Sequence, residues 1–262
     1  MELEQRRGEF EKRGLRVAAL MYDAPEVVRG FAERKGIRYP MLSDPESEVI
    51  RAFGILNTNI EKDSKAYGIP FPGTYIIDEN GVVRAKFFEE DHRERFTAAS
   101  ILVRYFRDEA GGAVKTIETK HLKLTVSASD ATVHPGSRVT LVLKVELKPK
   151  MHVYAPGVAD DYIPVAWKMA ESRAWVALPP EYPKPRTLHL EAIGETVPVF
   201  EGEFTVTRDV VFGQKKELAP AVRDGEIVVE GAFRYQACDD KMCYPPKTLP
   251  LEWRFTVRDL EQ

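Results

Sequence analysis

The chain has 262 residues, of which 44% are hydrophobic and 30% charged, with 38 Lys and Arg against 41 Asp and Glu. A single core usually stops growing near about 250 residues, so two domains are expected, with apolar material enough for both. Residues 1–110 hold 18 basic against 20 acidic side chains and the remainder 20 against 21, which excludes the basic excess of a nucleic-acid or membrane-surface binder. No run of about 18 apolar residues exists to span a bilayer.

The opening MELEQRRGEFEKRG is charged and has no apolar segment of a signal peptide. Residues 2–13 are helix formers apart from Gly8, with Leu3 and Phe10 on one face, and predict a surface helix. RVAALMYD (16–23) predicts a short buried strand. Asp23 and Pro25 then open a helix carrying Val27, Val28, Phe31 and Ala32, which Gly36 closes. Asp44 and Pro45 open another, with Val49, Ile50 and Phe53. TYIID (74–78) and VVRAKFF (82–88) form a hairpin around Glu79, Asn80 and Gly81. RERFTAASILVRYF (93–106) is amphipathic and predicts a helix, with Arg93, Arg95, Arg104 and Arg107 on a solvated face. Glu89, Glu90 and Asp91 before it suit the helix dipole better than acid–base catalysis. Helices alternating with strands indicate an α/β layer.

DEAGGAVKT (108–116) loses periodicity and predicts a linker. Beyond it HLKLTVSA, RVTLVLKVEL, GEFTVTRDVVF, EIVVEGAFRYQA and LPLEWRFTV alternate with period two, separated by Pro, Gly and Asp turns. Such a series predicts an antiparallel β-sandwich.

Both cysteines of the chain, Cys238 and Cys243, fall in YQACDDKMCYPP (235–246), at the ends of two strand patterns, where a disulfide is geometrically reasonable. Three readings follow. A structural staple gains little here, because the loop it closes is short. A zinc site could use the two thiolates with His152 or His189, though no second cysteine pair exists. Reversible thiol–disulfide exchange needs only what is present, two thiols within bonding distance. Asp239, Asp240 and Lys241 are turn formers first; the two acids raise a neighbouring thiol's pKa and Lys241 opposes them. No glycine-rich phosphate loop, HExxH or serine nucleophile elbow occurs.

YQACDDKMCYPPKTLPL resembles the active-site hairpin of the amino-terminal domain of the thiol:disulfide interchange protein DsbD family, and MHVYAPG (151–157) and VPVFEGEF (197–204) resemble its aromatic segment and the loop that lids its cysteines. The likeness spans about residues 117–258, with four residues between the cysteines where the best-known member has five. It implies an immunoglobulin-like sandwich whose Cys238–Cys243 disulfide relays electrons, with Cys243 as nucleophile and Cys238 as resolving thiol. It further implies Phe200 as the lid aromatic and Tyr154 and His152 as pocket residues. The partner would be a thioredoxin-like or membrane thiol–disulfide exchange protein, with no organic cofactor and no metal, in a periplasmic setting.

IPFPGTYIIDENG (69–81) resembles the segment of thioredoxin-like proteins of the peroxiredoxin and alkyl-hydroperoxide-reductase group that enters the sheet after a cis-proline, which Pro72 would match. RVAALMYDAPEVVRGFAERKGIRYPMLSDP is similar to the middle of that family. The family's catalytic cysteine lies in an earlier strand–helix unit. The expectation is therefore a truncated thioredoxin-like domain over 1–107, its nucleophile upstream of Met1, and an immunoglobulin-like sandwich over 117–262. A binding module with a purely structural disulfide, or the C-terminal part of a peroxiredoxin-like reductase, are the alternatives.

Overall fold

The structure, a computed structural model, describes residues 2–64, 66–88, 95–106, 112, 114–159, 161–190 and 194–258. The chain divides into two compact units, Met1–Leu102 and Val103–Gln262. Most of the stretch 108–116, expected as a linker, lies outside the described residues, and a strand already begins at Lys115.

The first unit carries α1 (Glu2–Gln5), α2 (Arg7–Lys12), β1 (Ala19–Met21), α3 (Pro25–Lys35), β2 (Met41–Ser43), α4 (Glu48–Ala52), β3 (Gly73–Ile77), β4 (Val83–Phe88), β5 (Arg95–Phe96) and α5 (Ala98–Phe106), within which the division falls. The expected N-terminal helix breaks at Arg6, yet Phe10 is buried. α3 starts on Pro25, whose missing N–H belongs to an end already unpaired, and stops at Gly36 in the left-handed region at φ 63°. The helix expected to open at Asp44 and Pro45 starts later, at Glu48, where the buried Asp44 carboxylate accepts hydrogen bonds from the Glu48 and Ile50 amides at 3.0 and 2.9 Å.

β1 and β2 pair in parallel, Ala19 opposite Met41. β2 carries no sequence signal, being three residues long. In the hairpin of β3 and β4, Asp78 Oδ1 accepts from the Asn80 and Val82 amides, both at 2.9 Å, and Gly81 supplies φ 77°. Every described peptide bond is trans, so Pro72 is not a cis-proline. Phe71 N donates to Ile55 O at 2.7 Å and Asn57 N to Ile69 O at 3.0 Å. Residues 69–71 therefore run antiparallel to 55–57, bridged at Leu56 and Pro70, directly ahead of β3. The helix expected from residue 93 begins at Ala98, where Thr97 Oγ1 accepts from Ser100 N. Glu89, Glu90, Asp91, Arg93 and Arg107 lie outside the described residues.

The second unit contains β6 (Lys115–Glu118), β7 (Leu122–Ala128), β8 (Thr132–Val133), β9 (Ser137–Leu147), β10 (His152–Tyr154), β11 (Ala166–Met169), β12 (Trp175–Ala177), β13 (Arg186–Leu190), β14 (Glu195–Glu201), β15 (Glu203–Phe212), α6 (Lys215–Leu218), β16 (Glu226–Tyr235), β17 (Ala237–Cys238) and β18 (Lys247–Val257). The order β12-β15-β9-β7-β6 forms one layer and β11-β16-β18-β8 another, with a third sheet of order β13-β14-β10-β17. Pairing is antiparallel except between β8 and β18. Apolar residues at alternate positions of β7 and β9, such as Leu124, Val126, Leu141 and Leu143, share one core with Phe233, Trp253 and Phe255 of β16 and β18. The unit is the β-sandwich that its period-two alternation predicts.

Arg104, expected on a solvated face, instead donates to Asp209 Oδ2 at 2.8 Å and to Glu181 at 2.5 Å. Asp209 is buried and also accepts from Arg138 Nε at 2.9 Å and Thr140 Oγ1 at 2.8 Å. Three donors on one carboxylate offset the desolvation that a buried charge incurs. Among the described residues no helix is long and apolar enough to cross a membrane.

Candidate redox site

The path of the chain explains where the cysteines sit. β16 pairs with β18 along its whole length, ending with Tyr235 opposite Lys247. One residue later the chain leaves that sheet, and Ala237 and Cys238 pair with Val153 and His152 of β10. The hairpin tip is thus held by two sheets at once. Tyr244 N donates to Ala237 O at 2.9 Å, and Gln236 Nε2 to Tyr244 O at 3.0 Å.

Asp239 builds the turn. Its Oδ1 accepts from the Lys241 and Met242 amides at 2.8 and 2.9 Å, and its Oδ2 from the Tyr244 hydroxyl at 2.8 Å. Those donors, the Lys241 amide foremost, hold its carboxyl below the ordinary aspartate range. In turn the charge pushes the Tyr244 phenol up. Asp239 is therefore ionised and committed to the turn, as its residue type implied.

Across this turn Cys238 and Cys243 form a disulfide, with Cα atoms 4.0 Å apart. Its two ends differ in environment. Cys238 is 1% exposed, whereas Cys243 is open to solvent beside Met242, itself 56% exposed. Cys238 packs with Tyr154, Val197 and Val199, flanked by Val158, Tyr162 and Leu188. The Tyr154 hydroxyl lies 3.5 Å from Cys243 Sγ, and because a disulfide sulfur has no hydrogen, the tyrosine is the donor. Its ring meets that of Tyr162 at 4.7 Å and of His152 edge-on at 5.7 Å. Burial raises the Tyr154 pKa, and a hydrogen bond to Glu195 pushes the Tyr162 phenol up to about 12, so both remain protonated donors.

His152 stands opposite Cys238 in the register and is 6% exposed. Burial lowers its pKa, against the pull of Glu201, Asp240 and Asp239, and its Nε2 is buried with no hydrogen-bond partner among the described residues. A second buried imidazole, His121, lies against the Tyr244 ring at 4.5 Å.

Cys238, Cys243, Tyr154 and His152 thus lie together in the fold, but Phe200 does not join them. Val153 pairs with both Phe200 and Ala237, and these three point into the sandwich core, where Phe200 stacks on Phe204 at 4.5 Å. The neighbouring rungs, Tyr154 opposite Val199 and His152 opposite Cys238, present the other face. Val197 and Val199 are the residues of β14 that cover Cys238. Pro72 belongs to the first unit and its bond is trans.

Chemically, an exposed sulfur bonded to a buried one is an electrophile attackable at one end only. A thiolate reaching Cys243 Sγ displaces the Cys238 sulfur, which stays in its pocket within reach for the reverse step.

A family model described as "Thiol:disulfide interchange protein DsbD, N-terminal" matches residues 121–251, half of the chain. The AhpC/TSA family model matches residues 1–86. Among solved structures, the N-terminal periplasmic domain of ScsB from Proteus mirabilis is 13% identical over 57% of this chain and 52% of its own, with a TM-score of 0.38. The N-terminal domain of Neisseria meningitidis DsbD in its reduced form is 15% identical over 51% of this chain and 84% of its own, with a TM-score of 0.30. The chain thus spans about half the length of the first of these. No curated protein matches it in sequence.

Proposed function

Because the chain belongs, through residues 121–251, to the DsbD N-terminal family of thiol:disulfide interchange proteins, we propose that it relays two electrons between protein partners through reversible opening of the Cys238–Cys243 disulfide. The asymmetry of the pair carries this reading: a solvent-open Cys243 joined to a Cys238 that is 1% exposed. A partner thiolate attacks Cys243 Sγ, the bond to Cys238 breaks, and a mixed disulfide forms. The partner's second thiol then resolves it, leaving both cysteines reduced and the partner oxidised. No organic cofactor takes part. The partner is a thioredoxin-like or membrane-bound exchange protein, and the setting is extracytoplasmic.

A staple would gain little, since the chain-entropy benefit of a disulfide is least for so short a loop. In the first unit the AhpC/TSA match and the strand and helix order support a thioredoxin-like layer, and the family match supports an immunoglobulin-like sandwich in the second.

The test is the reduction potential of the pair, obtained by equilibration in glutathione buffers and mass-tag trapping of free thiols. A relay sits between about −180 and −270 mV, while a value below about −300 mV would identify a structural bond. Cys243→Ser must abolish exchange with a thioredoxin-like partner, and wild-type exchange by that variant would refute the assignment of the attacked sulfur.

A further inference from the structure

We propose that His152 is the proton-transfer partner of Cys238, taking the proton of this buried thiol when the disulfide closes and returning it when the disulfide opens. The inference rests on the relay reading and adds to it the group that makes a buried sulfur kinetically competent.

Breaking the bond at Cys243 leaves the Cys238 sulfur with the electron pair, inside a pocket lined by Val197, Val199 and the Tyr154 ring. A bare thiolate there is penalised by desolvation, and a protonated thiol cannot attack. The sulfur therefore needs a nearby group that exchanges a proton with it. The Tyr154 hydroxyl is directed at Cys243, not Cys238. Across the single antiparallel rung from Cys238 stands His152, whose side chain shares its sheet face. With the disulfide closed its Nε2 is buried and has no hydrogen-bond partner among the described residues, an arrangement that costs stability unless another state of the site employs it. The groups facing the imidazole are Glu201 from β14, Asp239 and Asp240 from the hairpin tip, and Tyr154 on its own strand. The three carboxylates favour the imidazolium and burial opposes it, with burial the larger influence. A neutral imidazole at rest is the form that accepts a proton.

In the mixed disulfide between Cys243 and a partner, the Cys238 thiol passes its proton to Nε2. Its thiolate attacks Cys243 Sγ, forming the Cys238–Cys243 bond and expelling the partner as a thiolate. The imidazolium then gives up its proton to solvent or to the departing thiolate. Two electrons pass to the partner sulfur, and reduction runs through the same steps reversed.

The test uses the full reduced chain and oxidised glutathione as the probe, with acid quenching and mass analysis of the species formed. Wild type resolves the Cys243–glutathione adduct rapidly, with a rate that rises with pH through the imidazole titration. His152→Gln keeps a hydrogen-bonding group near the Nε2 position but cannot carry a proton. It should accumulate the adduct, resolve it at least about tenfold more slowly near neutral pH, and lose the imidazole limb of the profile. An unchanged profile in a folded His152→Gln would overturn the inference. Should that variant fail to fold, the wild-type chain decides: the His152 ring signals in NMR must titrate at higher pH in the reduced than in the oxidised form, and identical titrations refute the coupling. A chain that forms no adduct and no disulfide with glutathione defeats the relay reading itself, a separate outcome.

Discussion

The alternation in β14 makes opposite demands on two adjacent residues, and paired substitutions test it. Phe200 is 4% exposed, stacked on Phe204 with centroids 4.5 Å apart and on Tyr182 at 6.3 Å. Replacing it by Ala removes a ring from the sandwich core and should cost about 3–5 kcal/mol. For a unit of this size each kcal/mol lowers Tm by about 2–4 °C, so a drop of roughly 6–20 °C follows. Reduction of the disulfide by dithiothreitol, measured well below the transition, should stay within about twofold of wild type, because the ring faces away from the sulfurs. Val199→Ala deletes two buried methyl-sized groups, worth about 1.5–2.5 kcal/mol, on the face that covers Cys238. By admitting solvent to the leaving sulfur it should speed dithiothreitol reduction about threefold or more. A Phe200→Ala chain that melts within about 2 °C of wild type while its disulfide reduces several-fold faster would show that Phe200 is the lid after all, and would refute the strand register argued above.

Tyr154→Phe removes the donor 3.5 Å from Cys243 Sγ, so in the reduced chain the Cys243 thiolate should be harder to form, by about one half to one pH unit, as read from the pH dependence of iodoacetamide trapping. Asp209→Ala leaves Arg104 and Arg138 without their shared carboxylate and should destabilise the second unit by about 3–5 kcal/mol in chemical denaturation, whereas a loss under about 1 kcal/mol would mean the network is dispensable. The folded-state pKa values of His121 and His152 are both lowered, mainly by burial. The unfolded chain therefore binds protons first as pH falls below about 6.5, so stability should decline from there downward and be restored above it; His152→Gln should flatten part of that slope in thermal melts. The Asp239 carboxyl is lowered in the fold, so its turn is stable above about pH 4 and loosens as pH falls below that, which amide exchange at Lys241 and Met242 reports; Asp239→Asn should remove the dependence.

Much of this was legible in residues alone. Proline at the start of α3 and glycine at its end act through backbone constraints that are local, and the alternation of RVTLVLKVEL fixes a half-buried strand whatever it pairs with. The two cysteines five positions apart, between strand patterns, define a disulfide-closed hairpin for the same reason: the geometry that joins them is contained within a turn. Asp239 is a turn residue in sequence and remains one in the fold.

Other features depend on which segments meet. Val197, Val199 and Phe200 are all buried, because β14 has a covered surface on both sides, so apolar character along VPVFE cannot say which side holds the sulfurs. Only pairing with β10 assigns Val199 to Cys238 and Phe200 to the core, and a shift of one residue would exchange them. Arg104 resembles any surface arginine until β15 brings Asp209 to it across 105 positions of chain. His152 becomes a candidate proton carrier only because β17 crosses from one sheet to another and sets Cys238 opposite it. The sequence by itself determined the local elements and the pair of cysteines that join, since turn chemistry and alternation act over a few residues. The tertiary structure decided which sulfur is buried and what covers it, because burial and register arise from contacts between segments far apart in the chain.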